Sequence, residues 1–180
     1  MKIYTKKGDN GKTILANGET IDKNDLRLST YGIIDELNVL IGILAQKMSG
    51  NQSICTQLHW IQNKLFGVGA LISKAKGTWV SPDDSERFEM WIDAMQETLP
   101  QIHAFIIPSG TQEALISHLC RTHTRTIERL IVELNKTQTE NDPPLKDVIK
   151  LFNRMSDYFF VLAKFINFRL GIEETEWKKN

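Results

Sequence analysis

The chain has 180 residues and a mass of 20.6 kDa, the size of one domain that can bury a single core without metal or disulfide support. Lysine plus arginine and aspartate plus glutamate each number 22, so the formal charge is zero and a general electrostatic pull toward nucleic acid or acidic membrane is excluded; any cationic site has to be local. The two cysteines, Cys55 and Cys120, belong to no CxxC pair, which fits a reducing compartment and gives neither a disulfide nor a zinc framework.

The opening MKIYTKKGDNG is polar by its sixth residue and lacks the apolar core of a secretory signal, and residues 1–26 read as a glycine-rich arm, either disordered or folded over a ligand. Leu28, Tyr31, Ile34, Leu37, Ile41 and Leu44 then recur at three- and four-residue steps, the stripe of an amphipathic helix. A second helix begins after Asn51-Gln52-Ser53, carries Ile54, Leu58, Ile61, Leu65, Val68 and Ile72, and should pack on the first as a hairpin. Lys74 to Pro82 is a loop, and Ser81-Pro82-Asp83-Asp84 supplies the cap and first-turn acids of a third helix that ends before Pro100. Phe88, Trp91, Ile92 and Met95 form its inner face.

Phe105 to Thr111, FIIPSGT, is a short extended segment, because Pro108 disfavours helix before itself and Gly110 permits a turn. A fourth helix runs from Gln112 to about Lys136, and Asn141-Asp142-Pro143-Pro144 separates it from a fifth that ends near Leu170 and carries Val148, Leu151, Phe152, Met155, Phe159, Leu162 and Phe165. The most apolar stretch, FFVLAKFI, is interrupted by Lys164 and too short to span a bilayer. The expectation is an all-α fold, a five-helix bundle over residues 27–172 within one domain of residues 1–180, in a soluble cytoplasmic protein with no membrane and no nucleic-acid partner.

Chemistry can sit in few places. Gly11-Lys12-Thr13 imitates the end of a Walker A loop, but Lys6 stands where its first glycine belongs and no strand can precede it. TKKGDNGKT nevertheless clusters backbone N–H groups, hydroxyls and lysines, a kit that suits polyphosphate as well as a plain surface turn. On the fourth helix Arg121, Arg125, Glu128 and Arg129 share a sector roughly 100° wide, with His118 beside them, while Leu115, Ile116, Leu119, Ile127, Leu130 and Leu134 take the opposite side. A solvated face of ion pairs explains this sector, and so does an anion site, since guanidinium binds phosphate bidentately. Asp35-Glu36 on the first helix, and Asn153-Arg154 with Ser156-Asp157 on the fifth, interrupt apolar faces and suit structural pairs such as Asp35 with an arginine. His59, His103, His118 and His123 show neither HExxH nor ExxH spacing, which rejects a zinc protease and a ferritin-like di-iron site.

Taken in order, these pieces resemble the PduO-type ATP:cob(I)alamin adenosyltransferases, a family of trimeric five-helix bundles. TxxGDxGxT is present as Thr5, Gly8, Asp9, Gly11 and Thr13, followed by Lys23 and Arg27; YGxxDELNxxIG as Tyr31, Gly32, Asp35, Glu36, Leu37, Asn38, Ile41 and Gly42; FIxPGG as FIIPSG; the arginine helix as RTHTRTIER; and NRxSDxxF as Asn153, Arg154, Ser156, Asp157 and Phe160. The resemblance implies a nucleotide-binding arm that holds MgATP with Thr5, Lys6, Gly8, Asp9, Gly11, Thr13 and Lys23, joined by Arg125, Glu128, Arg129 and Asn153. It implies corrinoid contacts through Asp35, Phe105 and Arg121, with Asp35 and Arg121 an intersubunit ion pair and Phe105 filling the space below the ring. Those three and Arg125 are the implied catalytic set. Mg²⁺ arrives on the triphosphate, so no protein metal site is implied. Implied partners are ATP, cobalamin, a homotrimer, a flavoprotein reductase and a cobalamin-dependent enzyme.

The chain departs from the family pattern at Thr126, where a second arginine is usual, at Ser109 in place of a glycine, and at Ser29 in place of a glutamate. Thr126 predicts reduced ATP affinity, and it is the main ground for the alternative, a non-catalytic ATP- or corrinoid-binding paralogue acting as chaperone or sensor.

Overall fold

Four of the five helices begin at a side chain that satisfies backbone N–H groups the helix itself leaves free. Asp25 accepts from the Arg27 N–H at 2.7 Å and opens α1, Leu26–Lys47. Asn51 accepts from Ile54 at 3.2 Å and opens α2, Gln52–Ile72. The Ser81 N–H donates to the Asp84 carboxylate at 2.8 Å ahead of α3, Pro82–Gln96, with Pro82 at its first position. Thr111 accepts from Ala114 at 3.2 Å and opens α4, Gln112–Lys136. The fifth, α5, Lys146–Arg169, starts without a side-chain cap after Pro143-Pro144. The computed structural model describes Tyr4, Lys6 and residues 8–101, 104–140 and 142–178. Among them two small antiparallel pairs complete the fold: β1 (Lys12–Ile14) with β2 (Thr20–Asp22), and β3 (Ile106–Ile107) with β4 (Thr175–Glu176).

The all-α expectation holds, and so does the α1–α2 hairpin. Helix α1 packs on α2 and α4, α4 on α5, and α5 on α3. The ring closes through aromatics. Trp60 of α2 meets Phe88 and Trp91 of α3 edge-on at 5.8 and 5.3 Å, and Tyr158 of α5 stacks against both while its hydroxyl donates to Gln57 of α2 at 2.9 Å. Leu37, Ile41, Leu44, Leu58, Ile61, Leu65, Phe152 and Phe159 are fully buried at the centre, each side chain stabilising the fold by about 1.5–3 kcal/mol.

Three features differ from the sequence reading. The core stripe of α4 is Ala114, Ser117, Cys120, Thr124, Ile127, Ile131 and Leu134, whereas Leu115 and Leu119, expected inside, are 43% and 44% exposed. Small residues line this stripe because α4 is wedged between α1 and α5; there Ser117 donates to the Phe159 carbonyl at 2.8 Å and Thr124 to Cys120 at 2.8 Å. Among the described residues helix α1, rather than the FFVLAKFI stretch, is the one long and apolar enough to cross a membrane by composition, yet its stripe from Ile34 to Leu44 is buried within the bundle. Strand β4 was not foreseen, since two residues near a polar C-terminus carry no periodic signal.

The arm folds as the β1–β2 hairpin, turned at Gly18 with φ +90°, and docks on the end of α2 where Ala16 N–H donates to the Ser73 carbonyl at 2.9 Å. Beneath it lies an ion cluster. Asp142, from the α4–α5 loop and with its side chain 3% exposed, takes Arg27 and Lys74 on Oδ1 at 3.0 Å each, while Oδ2 accepts from the Thr139 N–H and hydroxyl. Lys74 also reaches Glu19 of the hairpin at 2.8 Å, so four segments meet at one carboxylate. Burial alone would raise the Asp142 pKa, but the Thr139 N–H, Lys74 and Arg27 outweigh it and hold the carboxyl below its ordinary range. Asp142→Asn leaves Arg27 without its counter-charge and Lys74 with Glu19 alone, and is expected to cost about 3 kcal/mol at pH 7, read as a lower urea midpoint with unchanged slope. Because the folded pKa is depressed, that stability is present above the unfolded value of about 3.9 and is lost as pH falls through the folded one, so wild type and variant converge only in acid.

Candidate active site

The segment before α4 is held from two sides. The Trp177 N–H donates to the Phe105 carbonyl at 2.7 Å beyond the β3–β4 pair, and Asn167 of α5 accepts from Thr111 N–H and donates to the Ser109 carbonyl, both at 3.1 Å. Phe105 is thereby presented to solvent, 81% exposed, at the mouth of a cavity of about 550 Å³ lined by Ala104, Ile106, Pro108, His118, Arg121 and Phe160. His118 is buried. Its Nδ1 accepts from Arg121 Nε at 3.4 Å and its ring meets Phe160 edge-on at 6.1 Å. Burial, then the Arg121 charge, pushes the His118 pKa down to about 4, so the imidazole is neutral with its proton on Nε2. Arg121 in turn is pushed down by burial and by Arg125. Among the described residues no carboxylate pairs with it.

Arg125 and Arg129 follow Arg121 at successive turns and are exposed. Arg129 Nη2 donates to Thr126 Oγ1 at 3.0 Å, and Thr126 donates to the Thr122 carbonyl at 3.2 Å. Asn153 of α5 donates to Glu128 at 3.2 Å, joining two of the expected nucleotide residues. Arg154 turns away and clamps α3 to α5 through Glu89 at 2.9 Å, with Asp157 at 2.8 Å.

The arm makes a second neighbourhood. Lys23 lies over the turn: its N–H donates to the Gly11 carbonyl at 2.8 Å, and its amine approaches Gly8 so closely that a Cβ there would stand 2.9 Å from it and displace the lysine side chain. Lys6 adopts φ +60° and accepts from the Asp9 N–H at 3.4 Å, Gly11 sits at φ +78°, and Thr13 pairs with Ile21 in the hairpin. Thr5 lies outside the described residues, as does His103. Among the described residues no hydrogen bond or ion pair joins Lys6, Gly8, Asp9, Gly11, Thr13 or Lys23 to the α4 arginines. Asp35 is exposed on α1 beside Tyr31, Asn38 and Phe66, and does not pair with Arg121 of its own chain.

One chain therefore gathers Phe105, Arg121, Arg125, Glu128, Arg129 and Asn153 and leaves the arm and Asp35 apart. Sequence reasoning gave no role to Phe160 or Asn167, although Phe160 closes the NRxSDxxF motif and its spacing from Asn153 could have placed it on the cavity. Two of the departures find a physical account. Gly110, with φ +96° and Asn167 where a Cβ would stand, is the glycine the turn requires, whereas Ser109 needs no special backbone and donates to Thr175 at 2.9 Å. Thr126 removes a charge but fixes Arg129. Nothing in the structure explains Ser29.

Comparison with known proteins bears on this arrangement. The family model for cobalamin adenosyltransferase matches residues 3–166. A corrinoid adenosyltransferase of Bacillus subtilis is 37% identical over 186 residues, covering 100% of this chain and 94% of that protein. A cobalamin adenosyltransferase of Cupriavidus metallidurans is 34% identical, covering 99% and 95%. Among solved structures, a variant PduO-type ATP:corrinoid adenosyltransferase from Lactobacillus reuteri, complexed with cobalamin and ATP, superposes with a TM-score of 0.91 at 32% identity, covering 99% of this chain and 100% of that one. The chain belongs to the cobalamin adenosyltransferase family.

Proposed function

We propose that this chain transfers the 5′-deoxyadenosyl group of ATP to the cobalt of cob(I)alamin, forming adenosylcobalamin and releasing triphosphate. The observation that carries the reading is the continuity of one helix face: Arg121 walls the apolar cavity under Phe105, and Arg125 and Arg129 continue from it as an exposed cationic stripe. A corrin ring against the first and a triphosphate against the second would bring cobalt and the 5′ carbon together, which is most of what the reaction needs.

The cobalt(I) electron pair attacks C5′, the C5′–O bond breaks, and its electrons leave on triphosphate. No protein nucleophile or general base is required. Arg125, Arg129 and Lys23, with the N–H groups of the arm and Mg²⁺ carried in by ATP, stabilise the charge that grows on the leaving group. Phe105, Phe160 and the neutral His118 keep the space below the ring apolar, so that no lower axial ligand donates to cobalt and cob(II)alamin becomes easier to reduce. The electron donor would be a flavoprotein reductase and the recipient of product a cobalamin-dependent enzyme. Two buried free thiols, Cys55 and Cys120, support a reducing, cytoplasmic setting.

That, among the described residues, neither the arm nor Asp35 pairs with the α4 arginines supports a homotrimer in which each site is completed by a neighbour. Lys47 donating to Gln112 at 2.9 Å and Glu36 lying 3.9 Å from His123 align α1 antiparallel to α4. Val39 and Ile43 then lie beside Leu115 and Leu119 as one exposed apolar face. Assembly there would bring the partner's Asp35 to Arg121, whose charge has no counter-ion among the described residues. The case for a non-catalytic paralogue rested on Thr126, which here holds Arg129 in place.

Anaerobic incubation with MgATP and chemically reduced cob(I)alamin should give the light-sensitive alkyl-cobalt spectrum, and Arg125→Ala should lower kcat/KM by about 100-fold or more. Phe105→Ala should lose far more rate when the reaction starts from cob(II)alamin and a reductase than when it starts from cob(I)alamin; equal losses would refute the role given to its ring. Leu119→Lys should convert trimer to monomer in light scattering and abolish turnover without lowering helix content. His118, held at about 4, should keep a neutral-imidazole NMR signature at pH 5.5, where an ordinary histidine of pKa about 6.5 is protonated.

A further inference from the structure

A second cavity, of about 680 Å³, lies between the end of α5 and the C-terminal strand, and it shares Ala104 and Ile106 with the cavity under Phe105. Leu99, Phe168 and Ile172 give it apolar walls, and Lys164 is set among them. That lysine is only 5% exposed, and among the described residues its amine makes no hydrogen bond and no ion pair, although it feels the charge of Glu174. The residue is buried while its amine opens onto the cavity, so the donor is available to an occupant that brings an acceptor. Nothing in the reaction as described uses this one.

The electrostatics restrict the occupant. Glu173, Glu174 and Glu176 outnumber Lys164 and Lys178 in the lining, which disfavours an anion inside the cavity, the Lys164 amine disfavours a cation beside it, and the phosphate of a tethered nucleotide would stay outside the acidic rim. A neutral aromatic ring with one acceptor nitrogen meets both conditions and matches the apolar walls. The corrinoid carries such a group: the base that occupies the lower face of cobalt, tethered to the ring edge by its nucleotide loop. If Phe105 takes the lower face, that base must leave it and settle within reach of its tether.

We propose that the cavity beside Lys164 receives the displaced lower base of the corrinoid, the Lys164 amine donating a hydrogen bond to the base nitrogen. This rests on the transferase reading and adds a subsite to it. It makes the chain distinguish a complete corrinoid from one lacking the loop and base, and it favours the base-off form by giving the base a second place to bind.

The test compares cobalamin with cobinamide, which has the same ring and no base. Both cobalt(II) forms are titrated into wild type, Lys164→Met and Ile172→Trp in the presence of MgATP, with Kd and the base-off absorbance as readouts and helix content as a control for folding. Wild type is expected to bind cobalamin about tenfold more tightly than cobinamide, as one buried hydrogen bond and a stacked ring allow. Lys164→Met, which removes the donor, and Ile172→Trp, which fills the cavity from its lip, should each erase that preference while affinity for cobinamide holds. Equal wild-type affinities, or variants that weaken both ligands alike, overturn the subsite and leave the transferase intact. A wild-type protein that adenosylates neither cob(I)alamin nor cob(I)inamide removes the transferase reading and this proposal with it.

Discussion

The side chain of Asn167 is fully buried near the C-terminal end of α5, and its amide is committed both to the distant segment before α4 and to the chain just beyond its own helix. Oδ1 accepts from Thr111 at the mouth of α4, while Nδ2 donates to the Ser109 carbonyl and, at 3.3 Å, to Glu174. The turn at Gly110 crosses so close to this amide that a side chain there would overlap it. Three loops are thus fixed by one residue: the start of the arginine helix, the extended strand with Phe105, and the C-terminal strand that pairs with it. An alanine at this position would leave partly buried polar groups on each without partners, which is more costly than the loss of a single exposed hydrogen bond. The placement of the cavity aromatic follows from that constraint.

Helix α4 has to serve the core and the site at once, and its residue sizes show how. Toward α1 and α5 it presents Ala114, Ser117, Cys120 and Thr124, whose small side chains let the helices approach, and Ser117 and Thr124 satisfy their hydroxyls on nearby carbonyls. Close packing leaves room for Arg121 to be half-buried instead of extending into solvent. Its guanidinium is then placed where desolvation and Arg125 both oppose its charge. A cation held in this way gains more from an incoming anion than a fully solvated one would, because part of the desolvation cost has already been met by folding.

Most of the bundle was legible in the chain because helices advertise themselves through a 3.6-residue period, and α2, α3, α4 and α5 fall within a few residues of their expected limits. What escaped was of two kinds. Leu115 and Leu119 are apolar and were assigned to the core, but periodicity cannot separate a face buried in the monomer from one left open at its edge; only the small residues of the neighbouring stripe, Ser117, Cys120 and Thr124, hinted at which side lies inside. Non-local pairs were also invisible. Asp142 sits in a stretch that reads as a plain break between helices, and nothing in its neighbourhood announces that Arg27 and Lys74 will meet there. The site motifs were legible singly, while the gap between the arm and the α4 arginines emerged only from the fold.

That gap bears on how such a site can work. The arginine stripe and the apolar cavity adjoin on one helix, so the chain alone can define where an anion ends and a ring begins. Their boundary is Arg121 and His118, and the two depend on each other. The arginine donates to His118 Nδ1 and helps to keep the ring neutral, and among the described residues the neutral ring is the only acceptor the arginine has. Were His118 protonated, two cations would face each other at the wall of an apolar space and the acceptor would be lost. The strongest constraint at this boundary is therefore that the cavity wall stays neutral while, one helical turn away, the same helix concentrates positive charge, which is the division that the proposed reaction would require.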